Sequence, residues 1–578
     1  MLENSRPMKQ TAVVVGGELD RETAASALDP RRWLALVVML VAGFMDLLDV
    51  TIVNVAIPST LEDLEAAYAQ MEWVLAGYVL GFAALLITGG RLGDIYGRKP
   101  VFLIGVAGFT LASGLCGAAA DPAMLISSRL LQGAMAGLMV PQILAIVHVS
   151  FPANERGKAL GIWGGVLGSA SVAGLVLGGA LLQWDLFGWG WRPIFLINVP
   201  VGICALVAAW LLVRDSRSPA ASRLDSVGVA LATTAVVMVV YPLTEGRSLG
   251  WPAWTIGLMA AGVILLGVFV VYEGRRTRTV GSPLMALALF RMRAFSTGMT
   301  TWAIFWVALG GFFFVWTLYM QVGLGWTPLR AGLTAAPFAV AAAAGSGLSV
   351  QVFVPRAGRR VLATGALVNA AGFAGYIWVA IHYGPAITSW QMIIPLTVSG
   401  FGFGLVVAPM VDLILTGVPA PDAGSASGTL STVQQVGMAL GIALAGIVLF
   451  TQLADDSGRG VGAVTPALHQ QLTSAGVPTA AQDAVIAGFR VCVRDRSAAT
   501  DPTQIPDSCR ARPDTPAAVQ RILIIAGPQA NAHNFAHAFG YTLWYGVGTM
   551  IAVFLGIFGL PHRMRRTNLS EQLASTAA

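Results

Sequence analysis

Apolar segments of about twenty residues recur along the whole 578-residue chain, and short polar breaks separate them. A helix of roughly 20 residues spans the ~30 Å hydrocarbon core of a bilayer. Only 11% of the residues are charged, against roughly 25% in soluble domains. The chain is therefore predicted to be an all-α polytopic membrane protein.

Fourteen transmembrane helices are predicted from these segments. They are 33–56, 71–90, 101–119, 124–148, 159–182, 194–213, 225–242, 254–272, 294–318, 331–353, 361–381, 390–415, 427–451 and 538–560. Residues 1–32 and 561–578 are predicted tails, and 452–537 is a long polar loop.

Arginine and lysine are concentrated in alternate loops, which indicates the cytoplasmic side. The opposite short loops hold only Arg192, Arg247 and Arg330. Both tails also carry arginines, so both termini are expected in the cytoplasm and the loop 452–537 outside. The net charge of +6 lies beside helix ends and does not suggest nucleic acid. The abundance of Arg over Lys, with Ala and Gly, favours the plasma membrane of a bacterium.

The most specific motif reads GRLGDIYGRK, begins at Gly90 and lies between the second and third spans. Gly90 and Gly97 allow tight turns, and Asp94 can accept hydrogen bonds from helix N-termini or from an arginine. Arg98 and Lys99 are expected to anchor the loop at the cytoplasmic surface. The alternative is an ordinary basic turn. Nowhere does the phosphate-loop pattern GxxxxGK[ST] occur, which argues against an ATP-driven pump.

This motif resembles the signature loop of the major facilitator superfamily, and further stretches resemble its fourteen-helix drug:proton antiporter branch. They are LDVTIVNVAIP at 48–58, WVLAGY at 73–78, RLLQG at 129–133, WRPIFLINVP at 191–200, and the glycine-bounded 424–428 with QQVG at 434–437. The resemblance implies two six-helix bundles around a central cavity, at 33–213 and 294–560. Two inserted helices would occupy 214–293.

Ionisable residues inside predicted spans are costly in lipid, and each is therefore a functional candidate. Asp46 and Asp49 are three residues apart on the first span and share a face. Arg129 lies in the fourth span and Asp412 in the twelfth. All four are candidates for proton coupling or substrate binding, and the resemblance supports this role for Asp49 and Arg129. Alternatively, Asp49 and Arg129 form a structural ion pair, Asp46 lies near the outer water, and Asp412 faces the cytoplasmic mouth.

Gly174, Gly178 and Gly179 belong to a glycine-rich fifth span, where small residues let helices approach closely. The antiporter signature of the family falls here and normally reads GPxxGG. This chain has Leu175 in place of the proline. The departure weakens the prediction of antiport specifically, and any kink there should be milder.

Three aromatic residues of the ninth span, Trp302, Trp306 and Phe313, share a helix face. They are candidates for lining an apolar cavity, where aromatic rings also suit a cationic ligand. Contact with lipid or with the protein core is the alternative.

Cys492 and Cys509 lie in the loop predicted to be external, where an oxidising compartment would allow them to pair. Two unpaired thiols are the alternative. His533 and His537 have metal-ligand spacing, but no third ligand is evident, so we expect no metal and no cofactor.

Together these features predict a proton-driven exporter of drug-like or antibiotic molecules, and not an enzyme. It would act as a monomer in the lipid bilayer by alternating access, with proton and substrate competing for Asp49. A transporter of the same fold that carries a metabolite, lipid or peptide, or works inward, is one alternative. A membrane sensor or scaffold that transports nothing is another.

Overall fold

The computed structural model describes residues 29–66, 68–217, 224–247, 249–279, 283–498, 506–510 and 515–560. The predicted C-terminal tail and residues 1–28 of the N-terminal tail lie outside this part of the chain.

Sixteen α-helices of more than one turn follow one another in the described residues, and no strand occurs among them. They are α1 (Arg32–Asp63), α2 (Tyr68–Tyr96), α3 (Arg98–Gly117), α4 (Pro122–Ser150), α5 (Ala153–Trp184), α6 (Asn198–Leu212), α7 (Ser226–Glu245), α8 (Ala253–Thr279), α9 (Arg293–Leu318), α10 (Pro328–Leu348), α11 (Arg360–Tyr383), α12 (Ser389–Leu415), α13 (Ala423–Asp455), α14 (Ser457–Ser474), α15 (Thr479–Ala498) and α16 (Ala517–Ile557). Shorter helical pieces are Leu186–Gly188, Pro193–Leu196, Leu287–Arg291, Tyr319–Gly323, Ser349–Phe353, Val354–Ala357, Gly384–Ala386, Ala420–Asp422 and Asp507–Cys509.

Thirteen helical segments in the described ranges are long and apolar enough to cross a membrane. They coincide with thirteen of the predicted spans. The remaining predicted span is α5, a helix of 32 residues that packs between α1 and α10. The chain is therefore a multi-pass membrane protein, and its long helices agree with the fourteen predicted.

The long helices pack into two groups that meet along two seams. In the first group α2 and α3 pack on α4, and α1 packs on α5 and α6. In the second group α9 packs on α13 and α16, while α10 and α11 pack on α12. One seam joins α5 to α10 and α12, and the other joins α2 and α4 to α13. Helices α7 and α8 pack on each other, with α7 against α2 and α13.

At the seam between α2 and α13 the two backbones come together at glycines. A side chain at Gly90 would overlap the carbonyl group of Gly424, and a side chain at Gly424 would overlap the carbonyl oxygen of Gly90. Only hydrogen fits at either position, so the close approach of the two helix groups depends on both glycines.

The polar segment 452–537 is largely helical. Helix α16 begins at Ala517, well before the predicted start at 538, because its first half packs on α14. The contact buries an apolar stripe made of Val461, Val464, Leu468, Ala526 and Ala530. The extension was not predicted because the contact that stabilises it joins two helices that are distant in sequence.

Candidate functional site

A buried ion pair joins α1 to α4. The guanidinium of Arg129 donates from Nη1 to Oδ2 of Asp49, and the two side chains are 1% and 0% exposed. Arg129 also donates from Nε to the carbonyl oxygen of Val74 at 3.2 Å, and its guanidinium carbon lies 4.3 Å from the ring centre of Tyr78. Removing either charge would leave the other buried and unpaired, which typically costs about 3–5 kcal/mol.

Two amide side chains complete the surroundings of Asp49. Nε2 of Gln132 donates to Oδ1 of Asp49 at 2.8 Å and lies 2.8 Å from Oγ of Ser113. Nδ2 of Asn198 donates to the same Oδ1 at 2.9 Å, and Arg129 donates to Oε1 of Gln132 at 2.6 Å. The carboxylate is therefore bound by side chains from α4 and α6, and a proton on it would change all of these contacts.

Asp46 lies one turn before Asp49 and is 5% exposed, so it is buried instead of facing outer water. The hydroxyl of Tyr78 donates to Oδ1 of Asp46. Because the ring of Tyr78 also lies against the guanidinium of Arg129, one side chain of α2 connects both carboxylates of α1.

Four members of this network were missed by the sequence analysis, namely Tyr78, Ser113, Gln132 and Asn198. A signal was available, since each is an uncharged polar residue within an otherwise apolar span. Three of the four also lie in the stretches that carry the family resemblance. The criterion of charge inside a span selects ionisable residues alone, so these uncharged side chains were not predicted to take part in proton coupling.

The second polar centre lies at the seam between the two helix groups. Asp94 of α2 is fully buried and accepts from the backbone N–H groups of Gly424 and Ser425, each at 3.0 Å. These groups belong to the first turn of α13, where backbone donors have no partner within the helix. Asp94 also accepts from Nη2 of Arg98 at 2.8 Å. A carboxylate of the first group thus caps a helix of the second, aided by the helix dipole.

The rest of the signature loop extends these contacts. Gly97 has a φ of +106°, which glycine adopts freely. Arg98 was predicted to lie at the surface but is 1% exposed, because it reaches across the seam and donates to the carbonyl oxygen of Ala420 at 2.8 Å. Lys99 donates to the carbonyl oxygen of Trp210 at 2.6 Å. The loop therefore binds both helix groups.

Asp412 is not part of the Asp49 network. It is partly buried on α12, and the charge that acts on it is that of Arg156 on α5. This pair of opposite charges lies across the other seam, so attraction between them favours contact between the two helix groups.

The glycine motif of α5 is a packing surface for two helices. Gly174 lies against Thr51 and Gly178 against Ile52, both on α1 just beyond Asp49. Gly179 lies against Leu329 of α10. Through these contacts α5 connects the helix that carries Asp49 to the second helix group.

The aromatic face of α9 lies within a buried cluster. Trp302 and Trp306 are in edge contact, with ring centres 5.5 Å apart, and Phe313 lies 5.2 Å from Phe338 of α10. The indole N–H groups of both tryptophans are buried without an acceptor in the described part of the chain.

The two cysteines of the polar segment are also brought together. Cys492 and Cys509 are joined by a disulfide, which connects the end of α15 to the short helix before α16.

Comparison with known proteins identifies the family. The family model described as Major Facilitator Superfamily matches residues 39–442. The chain belongs to the Major Facilitator Superfamily. A "Probable actinorhodin transporter" of Streptomyces coelicolor is 38% identical to this chain over 535 residues, which cover 93% of each protein. The "Tetracenomycin C resistance and export protein" of Streptomyces glaucescens is 36% identical, over 75% of this chain and 79% of that protein.

A solved structure confirms the superfamily fold. The human organic anion transporter MFSD10 (TETRAN) matches with a TM-score of 0.55 and covers 92% of this chain and 100% of that one. Its sequence identity is 13%, so the likeness concerns the fold alone. As a member of this superfamily, the protein is a multi-pass membrane transporter.

Proposed function

We propose that this transporter exports antibiotics or similar drug-like molecules from a bacterial cytoplasm in exchange for protons. Similar proteins bearing names of antibiotic transport, export and resistance support the choice of substrate. The observation that carries the proton coupling is the buried pair of Asp49 and Arg129, with its amide partners. We propose that it works as a monomer.

Competition at Asp49 is the proposed coupling step. A proton on the carboxylate removes the negative charge of Asp49, so Asp49 holds a proton or faces the substrate, but not both at full affinity. The coupling is reciprocal: a bound proton weakens the binding of substrate, and bound substrate weakens the binding of the proton. Each positive charge that moves inward gains about 2.3 kcal/mol per 100 mV of membrane potential.

Helix packing supplies a route from this site to the rest of the molecule. Asp49 lies on α1, α1 packs on α5 at Gly174 and Gly178, and the other side of α5 packs on α10. We propose that the groups 33–213 and 294–560 rock about these seams, with the helices in 214–293 accompanying them. Closure at Asp94 then corresponds to a conformation with the cytoplasmic path shut.

The orientation and the substrate surface complete the proposal. Both termini and the Asp94 loop are placed in the cytoplasm, and segment 452–537 outside, on the strength of the arginine distribution. The aromatic cluster with Trp302 and Trp306 is the proposed apolar wall for substrate. Its two unpaired indole N–H groups offer hydrogen bonds to an acceptor-bearing ligand.

The decisive experiment is transport in proteoliposomes under an imposed pH gradient, with a substrate found by screening strains with and without the gene. Asp49→Asn keeps the shape of the side chain but carries no charge and exchanges no proton at physiological pH. Uphill export should therefore vanish, while downhill movement survives. Arg129→Lys should be milder but not silent, because lysine lacks the planar fork of arginine.

Two further variants make this test specific. Glu62→Gln removes an exposed carboxylate from the same helix and should leave export unchanged. The double variant Asp46→Asn with Asp49→Asn addresses a proton shared between the two carboxylates. Uphill pumping by the double variant would show that α1 does not hold the coupling site, and Asp412 would become the next candidate.

A further inference from the structure

Two buried carboxyl groups face each other on the pair of helices between the two groups. Asp225 caps α7 by accepting from the N–H of Gly228 at 3.0 Å, and it is 2% exposed. Glu273 of α8 is fully buried. A Cβ placed on Gly228 would lie 2.6 Å from Oε1 of Glu273 and 2.7 Å from Oδ2 of Asp225. The two oxygens thus converge on one point that only glycine leaves open.

The neighbouring side chains favour the two carboxyl groups unequally. Asp225 has Nε of Arg276 at 3.0 Å from Oδ2, and the hydroxyl of Tyr272 donates to its Oδ1 at 3.0 Å. Glu273 accepts on Oε2 from the backbone N–H of Met285 at 3.2 Å, while its Oε1, like Oδ2 of Asp225, is buried without a hydrogen-bond partner among the described residues. In the described part of the chain, Asp225 is the charged side chain that faces Glu273, and Arg276 and Tyr272 contact Asp225.

This arrangement places a proton on one particular atom. Two carboxylates this close in a buried site cannot both be ionised at low cost. Asp225 has the guanidinium, the hydroxyl and a backbone donor, so Asp225 carries the negative charge. The proton then belongs on Oε1 of Glu273, from which it donates to Oδ2 of Asp225 and satisfies the unpartnered oxygen.

A short chain of contacts connects this pair to the Asp94 closure. Met285, held by Glu273, and its neighbour Leu284 are buried against residues of α2 and α7. The carbonyl oxygen of Leu284 accepts from the hydroxyl of Ser425 at 3.3 Å. The backbone N–H of the same Ser425 donates to Asp94 at 3.0 Å.

We propose that Asp225 and Glu273 form a second proton-binding site, whose proton holds the segment around Met285 against the Asp94 closure. This inference rests on the proposed function, because it assigns the site to the cytoplasmic side of an exporter. When Glu273 loses its proton to a more alkaline cytoplasm, Asp225 repels it and the hold on Met285 is lost. Alkaline pH then favours opening to the cytoplasm, and acid pH keeps the path shut.

The test uses two measurements on the full-length protein in lipid nanodiscs, neither of which needs a substrate. Infrared spectra follow the C=O stretch of protonated carboxylic acids as pH rises, and hydrogen exchange follows the backbone of 283–292. The wild type should lose a carboxylic acid band at the same pH at which exchange in 283–292 accelerates beyond the intrinsic pH effect. Glu273→Gln, which keeps one donor and one acceptor, should lack this band and lose the acceleration.

Two further variants provide a control and a second test of the same site. Glu245→Gln removes a buried carboxyl group at the opposite end of α7 and should retain both signals. Asp225→Asn removes the repulsion, so the titration of Glu273 should shift to lower pH. This shift also tests the proposal should Glu273→Gln fail to fold.

The proposed proton site would be refuted by a carboxylic acid band in Glu273→Gln that equals that of the wild type. Equal acceleration of hydrogen exchange in 283–292 of that variant would also refute it. An unshifted titration in Asp225→Asn would do the same. Failure of proton-driven export alongside a normal Glu273 titration would refute the proposed function and leave this proton site standing.

Discussion

Replacing Asp94 by asparagine perturbs one defined contact between the two helix groups. The carboxylate accepts from two backbone N–H groups of α13 through its two oxygens. Asparagine offers one acceptor oxygen and places an NH₂ group at the other position, so the N–H of Gly424 or Ser425 loses its acceptor. The negative charge opposite the first turn of α13 also disappears.

The magnitude follows from these losses. A hydrogen bond to a charged acceptor contributes about 1.5–3 kcal/mol, and a negative charge at a helix N-terminus contributes about 0.3–1 kcal/mol. The closed arrangement should therefore be weakened by at least about 2 kcal/mol relative to the open one. At about 1.4 kcal/mol per factor of ten, the closed-to-open ratio falls by roughly 30-fold or more.

Cysteine accessibility measures this ratio directly. Ser427 lies near the start of α13 and is fully buried, so Ser427→Cys reports opening at the seam. In inside-out vesicles, with exposed Cys204 replaced by serine, maleimide labelling of this cysteine should accelerate by the same factor of roughly 30 when Asp94→Asn is added. Proton-driven export should fall in parallel, while the amount of folded protein in the membrane stays near that of the wild type.

A matched control separates closure from ordinary helix capping. Asp121 caps its own helix, α4, by accepting from the N–H of Met124 at 2.9 Å, and both residues belong to the first helix group. Asp121→Asn should leave the labelling rate at Ser427→Cys unchanged. Wild-type labelling and wild-type export in Asp94→Asn would refute the reasoning, because the loop would then be only a turn.

Three further predictions concern other parts of the chain. Gln132→Leu strips a donor from the buried carboxylate network and should lower the free energy of unfolding by about 1–3 kcal/mol, seen as a lower melting temperature in detergent; an unchanged midpoint would contradict this. Hydrogen bonds from Trp191 and then Arg192 hold the pKa of Asp63 below its usual value. That contact therefore stabilises the fold above the unfolded pKa of about 3.9 and is lost as pH falls through the lower folded pKa. In Asp63→Asn the melting temperature should fall less than in the wild type as the pH is lowered. The difference should be small because the pair is partly exposed, and an equal fall in both proteins would contradict the prediction. Thiol labelling of Cys492 and Cys509 should rise only after reduction, and labelling without reductant would rule out the disulfide in the mature protein.

The amino-acid sequence by itself determined that the chain lies in a membrane, and it predicted spans that coincide with the long helices of the structure. The reason is physical: in lipid every backbone group must be satisfied within its own helix, so one apolar segment of sufficient length predicts one span. Asp49 and Arg129 were also visible, because charge inside an apolar segment is costly and stands out. Asp94 was visible through the signature motif between two spans.

Tertiary structure alone decided which of these residues meet and where the polar segments go. Gln132 and Asn198 are polar residues of two separate spans, and only the packing of α1, α4 and α6 brings both of them to Asp49. Glu273 lies far from Asp94 in sequence, and only the folding of the 283–292 segment onto α2 and α13 connects them. The early start of α16 likewise depends on contact with α14. Such contacts form between helices that are distant in sequence. Hydropathy indicates whether a segment lies in lipid or in water, but it does not show which other segment packs against it.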